Sequence, residues 1–161
     1  MRSKKTVLMA ATAALALLLS ACSVNVERND DGSLQIDGEI TAESLAAEFE
    51  RDPENDAVAV QIDDGVMRLD VEGTDENGEY VANLRVELAV VDGTLAVDIT
   101  EAFYNGWTVP EEIRDEFNKE IAKEIKKAVN QNPDATLLSL VADDGKVTTE
   151  WRVETKDSKK G

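Results

Sequence analysis

The chain has 161 residues, a formal net charge of −17 and no histidine. A surface this acidic repels nucleic acid and anionic lipid headgroups, which argues against partners of either kind. Without histidine there is no imidazole for acid–base catalysis and no basis for most transition-metal sites. We therefore expect no metal, no cofactor and no catalytic residue. A hydrolase that relies on carboxylates alone is the weakest of the functions considered.

The N-terminus has the pattern of a bacterial export signal. Basic residues within positions 2–5 precede an apolar run over 7–19, which is short for a membrane span and typical of a signal-peptide core. The run ends in Leu19-Ser20-Ala21-Cys22, which resembles the lipobox of bacterial lipoproteins. In that family the cysteine thiol receives diacylglycerol bearing fatty acids such as palmitate, and the signal is cut before it. The resemblance implies a signal peptide over 1–21 and a lipid anchor at Cys22.

Cleavage before Cys22 leaves 140 residues, enough for one domain. The signal carries three basic residues and no acidic ones, so its removal changes the formal charge from −17 to −20. We expect a tether over 22–32, a single domain over 33–155 and a disordered tail over 156–161. The anchor predicts an extracytoplasmic protein on the cell membrane, or on the outer membrane where the cell has one. An ordinary secretory signal with an incidental cysteine is the alternative.

The first half of the domain combines helix and strand signals. Ser33–Asp37 predicts a short strand, and Thr41 is a good N-cap for a helix through Arg51 that Asp52-Pro53 ends. Over 57–99, apolar residues recur at every second position. Asp-Gly and Asn-Gly pairs interrupt this alternation, which is a strong signal for hairpins. The segment predicts a four-stranded antiparallel meander.

The second half contains a long helix and a final hairpin. Thr108-Val109-Pro110-Glu111 reads as a capping box, and apolar residues at four-residue spacing continue to Val129 before Asn130–Pro133 ends the helix. Two strands follow, at Thr136–Ala142 and Val147–Val153. The predicted fold is α+β: a curved antiparallel sheet, made of the meander and the C-terminal hairpin, packed on one long helix, with a short N-terminal helix.

Acidic motifs are numerous, but none predicts a metal or catalytic site. Asp-Asp-Gly occurs at 30–32, 63–65 and 143–145, without the alternating acidic spacing of a calcium-binding loop. Hairpin turns account for all three. Asp98 and Glu101 are close in the sequence, but nothing in it places them as an acid–base pair, so a solvated face is the better interpretation.

Two apolar features predict either ordinary packing or a ligand site. The segment 103–107 holds three of the seven aromatic residues, and it either covers the end of the sheet or forms the lip of a cavity. The apolar stripe of the long helix either fills the core or lines a groove between helix and sheet. The candidate ligand-binding residues are Phe103, Trp107, Ile113, Phe117, Ile121 and Ile125.

Over Thr41–Val153 the order of elements resembles small tubular lipid-binding (TULIP-like) bacterial proteins. The matching residues are Asp92-Gly93, Gly106-Trp107-Thr108-Val109-Pro110, Asn118 and Asp144-Gly145. The resemblance implies a curved sheet wrapped on a long helix and the binding of a lipid or another long apolar molecule. We therefore expect a non-enzymatic, membrane-anchored lipoprotein that binds a hydrophobic ligand at the cell envelope. The alternative is an envelope scaffold or protein-interaction lipoprotein with a fully packed core, no ligand and partners that the sequence does not name.

Overall fold

The computed structural model describes residues 23–160. The predicted signal peptide over 1–21 and the predicted anchor Cys22 lie outside these residues. Within them the fold is α+β, with two antiparallel sheets and two helices. The strands are β1 (Ser23–Arg28), β2 (Leu34–Thr41), β3 (Asn55–Asp63), β4 (Val66–Asp75), β5 (Gly78–Val91), β6 (Thr94–Tyr104), β7 (Trp107–Thr108), β8 (Ala135–Asp143) and β9 (Lys146–Val153). The helices are α1 (Ala42–Phe49) and α2 (Glu111–Gln131), and a 3₁₀ turn, Ser158–Lys160, follows β9.

The two sheets divide the strands in an order that the sequence only partly predicts. The five-stranded sheet runs β3-β4-β5-β6-β7, and its first four strands confirm the predicted meander. The four-stranded sheet runs β1-β2-β9-β8. The prediction that the C-terminal hairpin extends the meander is therefore wrong. β9 pairs with β2 instead, because β2 continues to Thr41 and offers a partner along the whole of β9.

Four tight turns share one backbone geometry. Asp64-Gly65, Asp92-Gly93, Asn105-Gly106 and Asp144-Gly145 have positive φ at both residues, as a two-residue type I′ hairpin turn requires. Asp, Asn and Gly tolerate this conformation better than other residues. The three Asp-Gly turns confirm predicted hairpins. The turn at Asn105-Gly106 joins β6 to β7 and was not anticipated.

Both ends of the described chain differ from the prediction. Residues 23–28, predicted as part of a tether, form β1. All six residues of this strand pair with residues of β2. Only two apolar residues, Val24 and Val26, alternate with polar ones in β1, which is too short a pattern to distinguish a strand from a tether. The predicted tail is also not free, because Arg28 forms an ion pair of 2.6 Å with Asp157. Residues 156–160 thus pack back near the turn between β1 and β2.

The two helices are confirmed, with one correction at the start of α2. The hydroxyl of Thr41 accepts a hydrogen bond from the Ser44 amide, as expected of an N-cap. The predicted capping box at residue 108 is wrong, because Pro110 is the N-cap and no side chain caps the helix. Thr108 instead pairs with Phe103 in the ladder between β6 and β7.

The core lies between the inner faces of the sheets, meaning the faces turned toward each other and toward the helices. β8 contacts β3, β4, β5 and β6, while α1 packs on β3 and α2 packs on β6. The largest fully buried side chains include Ile40, Leu45, Phe49, Ile99, Ile121 and Leu137. Burial of one such side chain contributes about 1.5–3 kcal/mol. Among residues 23–160, no helix combines the length and apolarity needed to cross a bilayer.

Candidate ligand-binding cleft

An apolar cleft of about 290 Å³ opens between the five-stranded sheet and the first turns of α2. Its inner end is formed by small and aliphatic residues of β5 and β6, and its outer end by aromatic residues of the β6–β7 hairpin. α2 closes the opposite side. The main wall residues are Ala82, Leu84, Ala102, Tyr104, Trp107, Val109, Ile113 and Phe117.

The hairpin that carries Trp107 is fixed to the sheet by Asn105. The backbone amide of Asn105 donates to the Val81 carbonyl at 2.8 Å, and its side-chain oxygen accepts from the Val81 amide at 2.8 Å. Asn105 therefore bonds both the amide and the carbonyl of Val81, near the start of β5, as a paired strand would. Trp107 itself is 81 % exposed. Its backbone is thus held in place while its indole ring stands free at the rim.

A buried polar network supports the aromatic end of the cleft. The rings of Tyr80 and Tyr104 stack with their centroids 5.8 Å apart. The Tyr80 hydroxyl donates to the side-chain oxygen of Asn55 at 2.8 Å, and the side-chain nitrogen of Asn55 donates to the Phe49 carbonyl at 2.8 Å. Burial raises the pKa of Tyr80 to about 12. These contacts link α1 to the cleft, because Tyr104 lines it and packs on Tyr80.

α2 is positioned over β6 by one side chain, Asn118. Its side-chain oxygen accepts from the Ile99 amide at 2.8 Å, and its nitrogen donates to the Ile99 carbonyl at 3.2 Å and to the Asp98 carboxylate at 2.7 Å. These bonds attach this side of the helix to β6. Phe117, the residue before Asn118, lies in the cleft wall. Asp98, considered above as half of an acid–base pair, is a partner of Asn118.

Four of the six candidate residues border this one cleft: Phe103, Trp107, Ile113 and Phe117. Phe103 pairs with Asn83 across β5 and β6. The next pair along these strands is Tyr104 with Ala82, whose side chains lie on the inner face. Ile121 is 1 % exposed and belongs to the core. Ile125 is also buried, and it borders a different cleft. The helix stripe is therefore divided, and only its N-terminal part reaches the aromatic segment.

Sequence reasoning missed several wall residues, including Tyr104 and Val109. The signal that locates Tyr104 was present, because an Asn-Gly turn at 105–106 sets residue 104 opposite residue 107. Val109 follows from the same turn. Its amide donates to the Ala102 carbonyl at 2.8 Å, which continues the strand pairing toward α2.

The cleft favours an uncharged ligand. Among the described residues of its wall none is charged, and Thr108 is the single polar residue that is not aromatic. Outside it, Glu111 and Glu112 are exposed in the first turn of α2. Two carboxylates at the entrance repel an anionic headgroup while leaving an apolar chain unaffected.

Two of the three Asp-Asp-Gly motifs meet each other at a turn-to-turn junction. The Gly65 amide donates to the Ala142 carbonyl at 2.8 Å, and the Gly145 amide donates to the Ile62 carbonyl at 2.9 Å. A hydrogen bond between the carboxyl groups of Asp63 and Asp143 raises the pKa of Asp63 and lowers that of Asp143. The motifs therefore join the two sheets. Over residues 23–160, no cluster of three or more acidic side chains is arranged to hold a metal ion.

Comparison with known proteins adds no relative. No family model matches the chain, no curated protein matches its sequence, and no solved structure matches its fold. Function is therefore inferred from the residues of the cleft and from the N-terminal motif.

Proposed function

We propose that this chain is a membrane-anchored lipoprotein that binds an acyl chain or another small hydrophobic molecule in the cleft between the five-stranded sheet and α2. It binds without catalysing a reaction and without a cofactor. The lining of the cleft carries the proposal, because its walls are apolar or aromatic except at Thr108. Transfer of apolar ligand surface from water to such a wall contributes about 25 cal/mol per Å².

The size of the cleft limits the ligand. Ligand pockets in proteins measure about 300–1,000 Å³, and 290 Å³ is at the lower end of that range. A single acyl chain, or part of one, suits this volume better than a complete two-chain lipid. Trp107 is the residue whose environment changes most in this proposal, because its exposed ring is placed to close over the ligand.

The proposal includes the finer fold that the TULIP-like resemblance implies, with a curved sheet wrapped on the long helix. The position of α2 against β6 supports this arrangement. The bound chain would lie parallel to the first turns of the helix, between Ile113 and the inner-face residues of β5 and β6.

The proposed anchor is Cys22, which receives diacylglycerol on its thiol before the signal is cut, on the extracytoplasmic side of a cell membrane. Its support is the motif Leu19-Ser20-Ala21-Cys22 behind an apolar run. The wild-type protein should incorporate labelled palmitate and be found in the membrane fraction, whereas Cys22→Ala should incorporate none. A wild-type protein without label would contradict the lipid anchor.

Ligand binding can be tested on the mature chain carrying Cys22→Ala, with an uncharged fluorescent acyl-ester probe and native mass spectrometry. We expect saturable probe binding. Ile113→Trp fills the cleft and should weaken binding about tenfold, a loss of about 1.4 kcal/mol. Lys119→Trp, an exposed position on the same helix, is the matched control and should bind normally. Ile121 is unsuitable for this purpose, because its side chain is enclosed in the core.

Two results would contradict the proposal. The first is a wild-type protein that neither co-purifies with lipid nor binds the probe saturably, because such a protein has no hydrophobic ligand of this kind. Equal weakening by Ile113→Trp and Lys119→Trp would place binding away from the cleft.

A second candidate function, a protein-interaction lipoprotein, is favoured by β8. This strand is an outer strand of its sheet and exposes Leu138 and Val141 by 49 % and 56 %. The outer edge of β8 bonds to Gly93 and Gly65 of the other sheet, so a partner would contact the exposed apolar side chains and not the backbone of the edge. A photo-crosslinking residue at Leu138 should then capture one defined envelope protein, whereas the same residue at Lys119 should not.

A further inference from the structure

A second apolar groove, of about 230 Å³, lies between the C-terminal end of α2 and the four-stranded sheet. On the sheet side it is bordered by Val24, Ile36 and Trp151, and on the helix side by Ala128 and Val129. It is distinct from the aromatic cleft. At about 1.5 Å per residue, Val129 lies about 24 Å along α2 from Ile113.

The groove exists because β1 extends an apolar face beyond what the helix covers. Leu137, Trp151, Ile36 and Val26 stand opposite one another in successive strands. Leu137 is fully buried, Trp151 and Ile36 are half-buried, and Val26 is 54 % exposed. Val24, two residues before Val26 and on the same face, is 52 % exposed. This row of side chains thus extends from the core to Val24 and Val26, an apolar strip that no other part of residues 23–160 covers.

We propose that this groove holds part of an acyl chain carried by the protein's own Cys22. The inference rests on the proposed lipoprotein assignment. Cys22 stands two residues before Val24, and two residues of extended chain span at most about 7 Å. A fatty acyl group on the cysteine therefore starts beside the groove, with no intervening tether to carry it away.

Covalent attachment favours this occupant over others. A chain linked through a short connection reaches the groove at an effective concentration of about the millimolar range, above that of a free lipid in solution. A second copy of the protein is opposed by charge, because each mature chain carries a formal charge of −20 after loss of the three basic residues of the signal. An acyl chain is uncharged and meets no such repulsion.

The docked state changes how the protein holds the membrane. Stable anchoring takes two lipid signals, and one chain alone binds reversibly. An acyl chain placed in the groove is withdrawn from the bilayer. The mature protein would therefore alternate between a firmly anchored state and one that releases more readily.

The test compares the lipidated mature protein with the mature chain carrying Cys22→Ala, both in the same detergent micelles. The acyl groups are first measured by intact mass. A Trp107→Phe background leaves Trp151 as the single tryptophan, because the chain has two. We expect lipidation to slow amide exchange over 23–28 about tenfold and to shift Trp151 emission to shorter wavelength. Ala128→Phe fills the groove and should abolish both differences. Ala122→Phe, on the same helix and outside the groove walls, should preserve them.

The outcomes separate this inference from the assignment on which it rests. An acylated protein whose exchange and emission equal those of Cys22→Ala overturns the docking inference alone. An intact mass without acyl groups overturns the lipoprotein assignment and the docking inference with it, while probe binding in the aromatic cleft remains a separate measurement. Differences that survive Ala128→Phe also overturn docking in this groove.

Discussion

The side-chain amide of Asn118 occupies the open edge of β6 at Ile99 as a neighbouring strand would. It accepts from the Ile99 amide at 2.8 Å and donates to the Ile99 carbonyl at 3.2 Å. Beyond β6 the sheet continues only as the two-residue β7, which pairs with Phe103 and Tyr104. Open edges favour unwanted strand pairing. A helix side chain therefore both attaches α2 and blocks the edge at this point.

Replacement of Asn118 should destabilise the domain. Asn118→Leu keeps the approximate size of the side chain but leaves the Ile99 amide and carbonyl without this partner. An unpaired buried polar group costs about 1–3 kcal/mol, and we expect a loss in this range in urea unfolding. Asn130→Leu, at an exposed position on the same helix, is the control and should change the free energy of unfolding by about 0.5 kcal/mol or less. Equal effects of the two variants would contradict the role of Asn118.

Tyr80 should make stability fall at alkaline pH. Its pKa is raised to about 12 by burial, above its usual value of 10.0. Ionisation is thus easier in the unfolded chain than in the folded one. The stabilising contribution is complete below pH 10 and is lost as the pH rises toward 12. Urea unfolding across this range, with tyrosinate absorbance recorded in parallel, measures the effect.

The control for Tyr80 is its stacking partner. Tyr80→Phe should remove the alkaline transition that Tyr80 causes, and it should cost about 1–3 kcal/mol at neutral pH because the Asn55 oxygen loses its donor. Tyr104 is half-buried and its hydroxyl donates to Asp75 over a longer distance, 3.4 Å, so the cost of Tyr104→Phe should be smaller. An unchanged alkaline transition in Tyr80→Phe would assign the effect to another group.

The pair of Asp63 and Asp143 should give a pH dependence that a single substitution removes. The pKa of Asp63 is raised, so its contribution to stability is present at low pH and is lost as the pH rises through its folded-state pKa. The pKa of Asp143 is lowered, so its contribution is present at higher pH and is lost as the pH falls through its folded-state pKa. Asp63→Asn provides a permanent donor to Asp143 and should raise Tm at neutral pH, with a smaller gain in acid.

The matched control is Asp64→Asn in the same turn. It removes an equal charge one residue away, and asparagine also tolerates the positive φ of that position. If the two variants raise Tm equally, the gain reflects reduced net charge rather than the contact between Asp63 and Asp143.

Trp107 should matter for ligand binding and not for folding. Its side chain is 81 % exposed, so Trp107→Ala should change the free energy of unfolding by about 0.5 kcal/mol or less. In the proposed function it covers the ligand, so probe affinity should fall. Val91→Ala, at another exposed apolar residue, is the control for probe binding. Unchanged affinity in Trp107→Ala would remove the aromatic lip from the proposal.

Local patterns predict the meander and both helices, because strand alternation, Asp-Gly turns and the Thr41 cap act within a few residues. They do not predict which strands pair across the chain. β1 escapes detection because it has only two alternating valines, and the partner of β9 is far away in sequence. Pairing of distant strands depends on the packed core and is invisible to local periodicity.

The candidate site is predicted in part for a reason of helix geometry. An α-helix turns about 100° per residue, so positions four apart advance about 40° around the axis. From Ile113 to Ile125 the stripe therefore rotates by about 120°. Ile113 can border the aromatic cleft while Ile121 points into the core and Ile125 borders another cleft. Even spacing in the sequence does not mean one shared surface.

The pairing of β2 with β9 also sets an order of assembly. Leu34 lies opposite Val153, far from it in the sequence, so the four-stranded sheet is complete only after the intervening segments are present. The meander and α2 are built from neighbouring segments and can form earlier, because local contacts close quickly and distant ones slowly. We expect β2, although it comes early in the sequence, to be the last strand to acquire its distant partner.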